Sequence, residues 1–519
     1  MKAQIMKLTD KYFLCGRIFL MCRKFLQPFI VVLFSLSLLA CGGSGSSVIV
    51  QPRISQFSFL TKNNPSLSSD LSLSISGNTI IGKFPATANW QSMIATVQHN
   101  GILLIVNDTA QINGVSEQDF SDVQSYTVMM SDGREQSYSV DVVAFTGLPI
   151  IYLTTSDNDA IDSKEDYIEG IVTIKGGRNF ADVPAAVMKI RGRGNSTWTH
   201  PKKPFQMKLD DESTFLDMPS KKKWIFLAEY SDKTMLRNTI AFEMGYLSNL
   251  EWTPKSTFAE VYINDKYNGT YNITEKVEEG SNRVDIGDNG FLLEIDGRAG
   301  SDDVYFSTNK FQKVVIKEPS LDQDDEQYTY IKTHINEFEA ALFASNFADP
   351  TSGYAKYIDV DSFIDWYLIS EITKNIDSRN FSSIYFTLVP GEKIKMGPLW
   401  DFDLSFGNIN YSDPQYFDGF WIKDHKWISR LFEDDVFVEK IKARFIYFKS
   451  NQNLIMGKID AYAIKLNLAQ QENDSKWGTL GEYVWPNPVV FDTYNEEVTY
   501  LKTWYSQRMT WLDSALKNL

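Results

Sequence analysis

Residues 396–407 read MGPLWDFDLSFG and place two carboxylates, Asp401 and Asp403, among aromatic and aliphatic side chains. Solvated acidic loops rarely have such apolar neighbours, and a buried carboxylate without a partner is costly. We therefore predict that these two groups face a cation. Hard oxygen ligands suit Mg²⁺, Mn²⁺ or Ca²⁺. The alternative is a purely structural hydrogen-bond network.

A second polar segment lies upstream, between an apolar helical pattern and the strand-like run SSIYFTL. It reads KNIDSRN over residues 374–380, with Asp377 and Asn380 three positions apart. A carboxylate in a short loop can accept a proton from a hydroxyl, and a neighbouring amide can help to hold a metal. The alternative is a helix-terminating loop in which the Asp side chain bonds to its own backbone.

Further upstream, a basic glycine-containing segment interrupts an otherwise acidic chain. Residues 191–198 read RGRGNSTW, and Lys202 and Lys203 follow closely. Glycines allow a backbone to approach an anion, and arginine binds phosphate well. The segment predicts a phosphate-bearing ligand, and the alternative is a β-hairpin turn with solvated basic residues. It does not match the P-loop pattern G-x-x-x-x-G-K-[ST].

The order of these features along the chain is that of a protein kinase: basic glycine loop, lysine-bearing strand, Asp-x-x-Asn loop, short strand and metal-type Asp. Residues 150–519 resemble the spore coat protein H (CotH) kinase family, an atypical relative of the protein kinase fold. The resemblance rests on the segments RGRGNSTW, KKPFQMKL, KKWIFLAEYSDKTMLRN, AEVYINDKYNGTYNITEKVEEG, GFLLEID, KNIDSRNFSSIYF, MGPLWDFDLSFG and LKTWYSQRMTWL.

The resemblance implies roles for four acidic and amide residues. Asp377 would be the catalytic base, and Asn380 its metal-assisting neighbour. Asp401 or Asp403 would bind Mg²⁺ or Mn²⁺, as the Asp of the kinase D-F-G does. The chain departs from ordinary kinases here, because no His-Arg precedes Asp377 and DFDLSFG replaces D-F-G.

The same resemblance implies an ATP site. Arg191 and Arg193, with Lys203 or Lys208, would contact the phosphates of ATP. Glu275, in the segment YNITEKVEEG, would lie near the inter-lobe hinge beside adenine. No V-A-I-K motif identifies a single lysine for this site.

The secondary-structure pattern changes along this region. Strand-like runs continue to about residue 318, and helical periodicity then appears at residues 326–343, 360–375, 427–449 and 494–516. A strand-rich half followed by a helix-rich half predicts an α+β fold. With the resemblance, it implies an atypical two-lobed, protein-kinase-like domain over residues 150–519.

Residues 53–146 contain short alternating strand-like runs separated by Asn-Gly, Asp-Gly and Ser-Gly breaks. This pattern predicts an antiparallel β-sandwich, and the segment resembles immunoglobulin-like modules of bacterial surface proteins. Because it carries no constellation of catalytic groups, we predict a spacer or adhesion role.

The N-terminus predicts export and lipid anchoring. Residues 29–40, FIVVLFSLSLLA, form an apolar run too short to span a bilayer, which suits a signal peptide. The run ends in LLA before Cys41 and resembles a bacterial lipobox, with residues 1–41 as signal peptide and residues 42–52 as a flexible linker. Gly42 after Cys41 implies sorting to the outer membrane, so we expect a lipid-anchored protein of the bacterial cell envelope.

Composition excludes several function classes. All 3 cysteines lie within residues 1–41, so the rest of the chain can hold no disulfide or Cys-ligated zinc. The net charge of −15 opposes nucleic-acid binding.

Two hypotheses remain for the function. One is a secreted kinase that transfers phosphate from ATP to hydroxyl side chains of an envelope or surface protein, or to a carbohydrate. The other is a non-catalytic kinase-like module that binds a cell-envelope or extracellular partner.

Overall fold

The computed structural model describes residues 50–519, of which Pro52–Leu519 form one compact unit. The predicted signal peptide and Cys41 lie outside the described residues, as does most of the predicted linker. Within the described part of the chain, no helix is both long and apolar enough to cross a membrane.

The first part of the described chain contains two sheets. Its strands are β1 (Ile54–Phe59), β2 (Leu71–Ser72), β3 (Ser74–Ser76), β4 (Thr79–Phe84), β5 (Met93–His99), β6 (Leu103–Val106), β7 (Thr109–Gln111), β8 (Glu117–Gln118), β9 (Gln124–Met129) and β10 (Glu135–Ala144). One sheet has the order β2-β1-β5-β8, and the other has the order β3-β4-β10-β9-β6-β7.

The two sheets share one apolar core. Phe57 on β1 meets Tyr126 on β9 edge to face, with ring centroids 4.9 Å apart, and Phe59 meets Phe84 on β4 at 4.8 Å. This agrees with the predicted sandwich, apart from one parallel pair, β4 with β10. These strands are far apart in sequence, so the connection between them does not force an antiparallel hairpin.

A closed barrel follows, with strands β11 (Ile150–Thr155), β12 (Ile168–Lys175), β13 (Val183–Gly192), β14 (Phe205–Phe215), β15 (Met218–Leu227), β16 (Ser256–Ile263) and β17 (Lys266–Glu275). The order around the barrel is β11-β12-β13-β14-β15-β17-β16, and parallel pairing of β11 with β16 closes it. Helix α1 (Arg237–Tyr246) lies between β15 and β16 in sequence.

The remaining residues form a five-stranded sheet and a set of helices. The strands are β18 (Phe291–Ile295), β19 (Tyr305–Ser307), β20 (Lys313–Glu318), β21 (Ile384–Leu388) and β22 (Lys395–Met396), in the order β19-β20-β18-β21-β22. The helices are α2 (Glu326–Leu342), α3 (Val360–Thr373), α4 (Lys426–Leu431), α5 (Asp435–Ser450), α6 (Gln452–Lys465), α7 (Asn467–Trp477) and α8 (Tyr494–Lys517).

The predicted α+β class is confirmed, with strands concentrated in the first half and helices in the second. The single helix predicted at residues 427–449 is wrong, because α4 ends at Leu431 and α5 begins at Asp435. The Asp434 side chain accepts the backbone N–H of Val436 and thereby starts a new helix. Helices α1, α6 and α7 were not predicted, because none of them has a clear apolar stripe along one face. Nearly all residues of α1 are buried, whereas only Ile455 and Ile459 on α6 and Ala469 on α7 are buried.

Candidate active site

The loop after β22 carries the two predicted metal-type carboxylates. Asp401 adopts the left-handed conformation, with φ of 67°, which Asp tolerates better than most residues. Phe402 is fully buried between Asp401 and Asp403, and its N–H donates to Asn238 Oδ1 at 2.7 Å. The Asp403 carbonyl accepts Asn408 Nδ2 at 2.9 Å. The backbone of the loop is therefore fixed on both sides of Phe402, and both carboxylates remain partly exposed.

A second loop, at the end of α3, carries Asp377 and is joined to the first by one amide. Asn375 Nδ2 donates to the Asp401 carbonyl at 2.9 Å, and its Oδ1 accepts the N–H of Asp377 at 3.1 Å. Asn375 is 1% exposed, so water does not compete for these bonds. The sequence-predicted base and one predicted metal ligand are thus held together by a residue to which the sequence pattern assigned no role.

Asp377 has the electrostatic environment of a proton acceptor. Its side chain is 16% exposed, and Arg298 Nη2 lies 4.0 Å from its Oδ2. Burial, and then the charge of Asp401, raises the pKa of Asp377 to about 7, against the opposing effects of Arg298 and Ser382. A carboxylate with a pKa near neutrality can both accept and release a proton under ordinary conditions.

Asp403 is surrounded by like charges. Burial raises the pKa of Asp403 well above its ordinary value, and Asp401, Glu229 and Asp377 add to the rise. This excess of negative charge is the arrangement that a bound cation would relieve.

Arg193 is the residue of the glycine loop that reaches these carboxylates. Its guanidinium lies over the Trp400 ring, 5.5 Å from the centroid. Burial lowers the pKa of Arg193, while the charges of Asp401 and Asp403 oppose the change. The structure therefore brings together four of the predicted site residues: Arg193, Asp377, Asp401 and Asp403.

The glycines of this loop have different roles. A Cβ on Gly192 would lie 2.2 Å from the ring of Trp198, so this glycine makes room for a side chain of its own loop. Gly194 has φ of 87°, a conformation that favours glycine. Gly192 is therefore required by the packing of Trp198 and not by close approach of the backbone to an anion.

The other basic residues predicted to contact phosphate have different surroundings. Arg191 lies over the Tyr167 ring at 4.7 Å and donates to the Glu165 carbonyl at 3.1 Å. Lys203 Nζ donates to the Trp198 carbonyl at 2.6 Å. Lys208 is exposed on β14 and is in register with Lys189 and Lys223 on the neighbouring strands.

The side chains of two further predicted site residues, Asn380 and Glu275, are hydrogen-bonded to other parts of the chain. Asn380 Oδ1 accepts the N–H of Lys426 at 3.1 Å, which directs the amide towards the start of α4. Glu275 is fully buried and accepts Arg283 Nη1 at 2.6 Å and the N–H of Lys255 at 2.8 Å. The Glu275 carboxylate therefore holds the segment after β17 to the barrel.

Sequence reasoning missed a buried polar cluster behind Asp403. Glu229, with φ of 49°, accepts Asn238 Nδ2 at 3.1 Å and Asn272 Nδ2 at 3.3 Å. Asn238 in turn holds Phe402. The polar run EYSDKTMLRN, between a strand and a helix, could have pointed to this cluster. The sequence does not show that these polar side chains are buried, because their burial depends on the fold.

The donor set has the composition expected for Mg²⁺ in phosphoryl transfer. No group of three or more His, Cys, Asp or Glu side chains placed to hold a metal ion occurs in the described part of the chain. Mg²⁺ commonly uses one or two carboxylates and completes its shell with water and substrate phosphates. Asp401 and Asp403 supply two such carboxylates and fit that pattern.

The model of the CotH kinase protein family matches residues 190–512. The chain belongs to the CotH kinase protein family. All nine predicted kinase-site residues lie within the CotH match, from Arg191 to Asp403. The match begins inside β13, whereas the barrel that contains this strand begins with β11 at Ile150.

Comparisons with curated proteins and with solved structures give no further information about the function of this chain. No curated protein matches the chain. Two solved chains match, and one is a crystal structure from Bacteroides thetaiotaomicron whose title offers glycoside hydrolase as a candidate activity. It is 13% identical, covers 57% of this chain and 89% of its own, and has a TM-score of 0.17, which supports no conclusion about fold or activity.

Proposed function

We propose that this CotH-family protein is a secreted, membrane-anchored kinase that transfers phosphate from ATP to hydroxyl side chains of an envelope or surface protein. One observation carries the proposal: Asn375 joins the loop of Asp377 to the loop of Asp401, with Arg193 beside the same carboxylates. Phosphoryl transfer requires mainly positioning and charge neutralisation from a protein.

In this proposal Asp377 accepts the proton of the acceptor hydroxyl through its carboxylate. Arg193 pairs with the phosphates of ATP, and its contact with Trp400 limits its freedom. Asp401 and Asp403 hold Mg²⁺ or Mn²⁺, which when bound neutralises the phosphate charge. We also propose that the domain is two-lobed like a kinase, with the barrel as one lobe and the helical part as the other.

The proposed location rests on the apolar run at residues 29–40 and on the lipobox-like sequence at Cys41. We expect the immunoglobulin-like sandwich to hold the kinase-like domain away from the membrane. The partner is then a hydroxyl-bearing molecule of the envelope or of the surroundings.

One observation favours the non-catalytic alternative. The Asn380 amide is engaged by Lys426 and Asp424, so it is not held next to Asp401. If no other amide replaces it, the module would bind a partner without transferring phosphate.

A labelling assay distinguishes the two. The full chain, purified in detergent, is incubated with radiolabelled ATP, Mg²⁺ or Mn²⁺ and an envelope extract. We expect Asp377→Asn to slow labelling by about 10²–10⁴-fold, the usual contribution of a general base. Asp401→Asn should raise the metal concentration required. Asp132→Asn, an exposed change in the sandwich, should match the wild type.

ATP binding without labelling would support the non-catalytic module. Absence of both would exclude the kinase proposal. For the anchor, Cys41→Ala should move the protein from the membrane fraction to the soluble fraction, and an unchanged distribution would contradict lipid attachment.

A further inference from the structure

Two aromatic rings form an exposed platform beside the candidate active site. Tyr411 and Trp485 are 52% and 50% exposed. Their rings are nearly parallel, at 8°, with centroids 5.8 Å apart. Tyr483 is also exposed, and its hydroxyl accepts Asn410 Nδ2 at 2.8 Å. We call Tyr411 and Trp485, with Asn410 and Tyr483 at their edge, the aromatic platform.

The exposure of these rings does not result from a loosely attached loop. Val484 and Asn487, on either side of Trp485, are 7% and 4% exposed. Asn487 Nδ2 donates to the Ser231 carbonyl at 2.6 Å and to Asn408 Oδ1 at 2.9 Å. The backbone around Trp485 is therefore anchored while the indole ring is presented to solvent.

A chain of hydrogen bonds connects the platform to the backbone of Asp403. Asn408 donates to the Asp403 carbonyl at 2.9 Å, and Asn410 Nδ2 lies 3.3 Å from the Asn487 carbonyl. Tyr411 follows Asp403 closely in sequence. Burial raises the pKa of Tyr411, and the charges of Asp377 and Asp403 add to the rise, so its hydroxyl is within electrostatic reach of the proposed base.

The chemistry of the platform favours a neutral saccharide. A pyranose has a flat C–H face that can cover an aromatic ring and a rim of hydroxyls that bond to amides and phenols such as Asn410 and Tyr483. The acidic groups Asp377 and Asp403 nearby disfavour an anionic ligand that brings no metal ion with it. A peptide added as a strand requires a sheet edge, and residues 478–493 contain no strand.

We propose that the aromatic platform binds sugar rings of a neutral glycan. This inference rests on the proposed function where it names the acceptor of phosphate. The acceptor would be a glycan, or a glycosylated protein, whose hydroxyl is brought to Asp377. Binding to the platform itself requires neither ATP nor transfer.

The test is titration calorimetry of the full chain, in detergent and without ATP, with cellohexaose, laminarihexaose and hexa-N-acetylchitohexaose. Dephosphorylated casein serves as the polypeptide probe. We expect at least one hexasaccharide to bind. Trp485→Ala and Tyr411→Ala should each weaken that binding by about fivefold or more, since a stacked ring contributes about 1 kcal/mol or more. Phe311→Ala, which alters a side chain that is 84% exposed elsewhere, is the matched control.

The outcomes separate this inference from the kinase proposal. Saccharide binding that depends on Trp485 supports the platform even if the chain neither binds ATP nor transfers phosphate. No binding of any hexasaccharide overturns the inference, whether or not ATP binds. It is also overturned if casein alone binds through Trp485, or if Trp485→Ala and Phe311→Ala bind equally.

Discussion

Asn375 shows how one buried amide can organise a candidate active site. It uses both ends of its side chain, one on the backbone of Asp377 and one on that of Asp401. Asn380 is the amide that the kinase resemblance selects, but its side chain contacts the start of α4. Both amides were visible in KNIDSRN. Their roles could not be separated from the sequence, because the partners that distinguish them, Asp401 for Asn375 and Lys426 for Asn380, lie 26 and 46 positions away.

We expect Asn375→Ala to lower kcat for labelling by about 10–100-fold with a smaller change in the Kd of ATP, because misaligned groups impair the chemical step most. The loss of two buried hydrogen bonds should also reduce the free energy of unfolding by about 1–3 kcal/mol. Asn380→Ala is the comparison. If Asn380→Ala lowers kcat more than Asn375→Ala does, the assignment of the organising amide is reversed.

His425 makes stability depend on pH. It is fully buried, its Nδ1 accepts the N–H of Trp427 at 3.2 Å, and burial lowers the pKa of His425 to about 3. In the unfolded chain the imidazole has a pKa of about 6.5. Between these two values the unfolded state binds more protons, so the free energy of unfolding falls as pH falls.

The contribution of His425 should reach about 1.4 kcal/mol for each pH unit in this window. His425→Asn retains a helix-capping acceptor and should flatten the decline. Guanidinium unfolding at pH 7 and pH 4.5 measures the difference. Equal declines in both proteins would show that His425 does not titrate as described.

At the scale of elements, α8 agrees with its prediction to within one residue. The helical periodicity predicted at residues 494–516 is confirmed, since the apolar residues of one face are all buried: Val498, Leu501, Trp504, Tyr505, Met509, Leu512 and Leu516. Arg508 lies in the same buried surface, where its Nη2 donates to Glu371 Oε1 on α3 at 2.6 Å. Periodicity predicts an apolar face, but only a partner on another helix makes a buried arginine possible.

Arg508→Met should lower the free energy of unfolding by about 3–5 kcal/mol, because it leaves the Glu371 carboxylate buried without its cation. Denaturant unfolding measures the change. Lys517→Met, which removes an exposed pair with Asp513, should cost about 0.5 kcal/mol or less. Similar losses for both variants would contradict a special role for the buried pair.

At the scale of the whole molecule, Arg178 connects the sandwich to the barrel. It extends from the segment between β12 and β13 to Asp141 Oδ1 at 2.7 Å and to the carbonyls of Ser121 and Val142, each at 3.1 Å. Thr146, in the connecting segment, donates to the buried carboxylate of Glu260 at 2.6 Å. These contacts hold the sandwich against the barrel instead of leaving it on a free tether.

Arg178→Ala should expose the connecting segment more often, and chymotrypsin should then cleave after Phe145 about fivefold faster for each kcal/mol lost. Lys189→Ala, which removes a surface pair with Glu169 on the barrel, should leave the cleavage rate unchanged. An unchanged rate for Arg178→Ala would indicate that other contacts maintain the junction.

The sequence by itself determined the α+β class, the helices α2, α3 and α8, and the family, because periodicity and motif order are local properties of the chain. It also predicted site roles for Arg193, Asp377, Asp401 and Asp403. Only the tertiary structure decided that these four meet, that Asn375 joins their loops, and that Arg191, Lys203 and Glu275 have other partners. The physical reason is that burial and pairing of polar groups depend on segments brought together from across the chain, as Arg193 and Asp401 are.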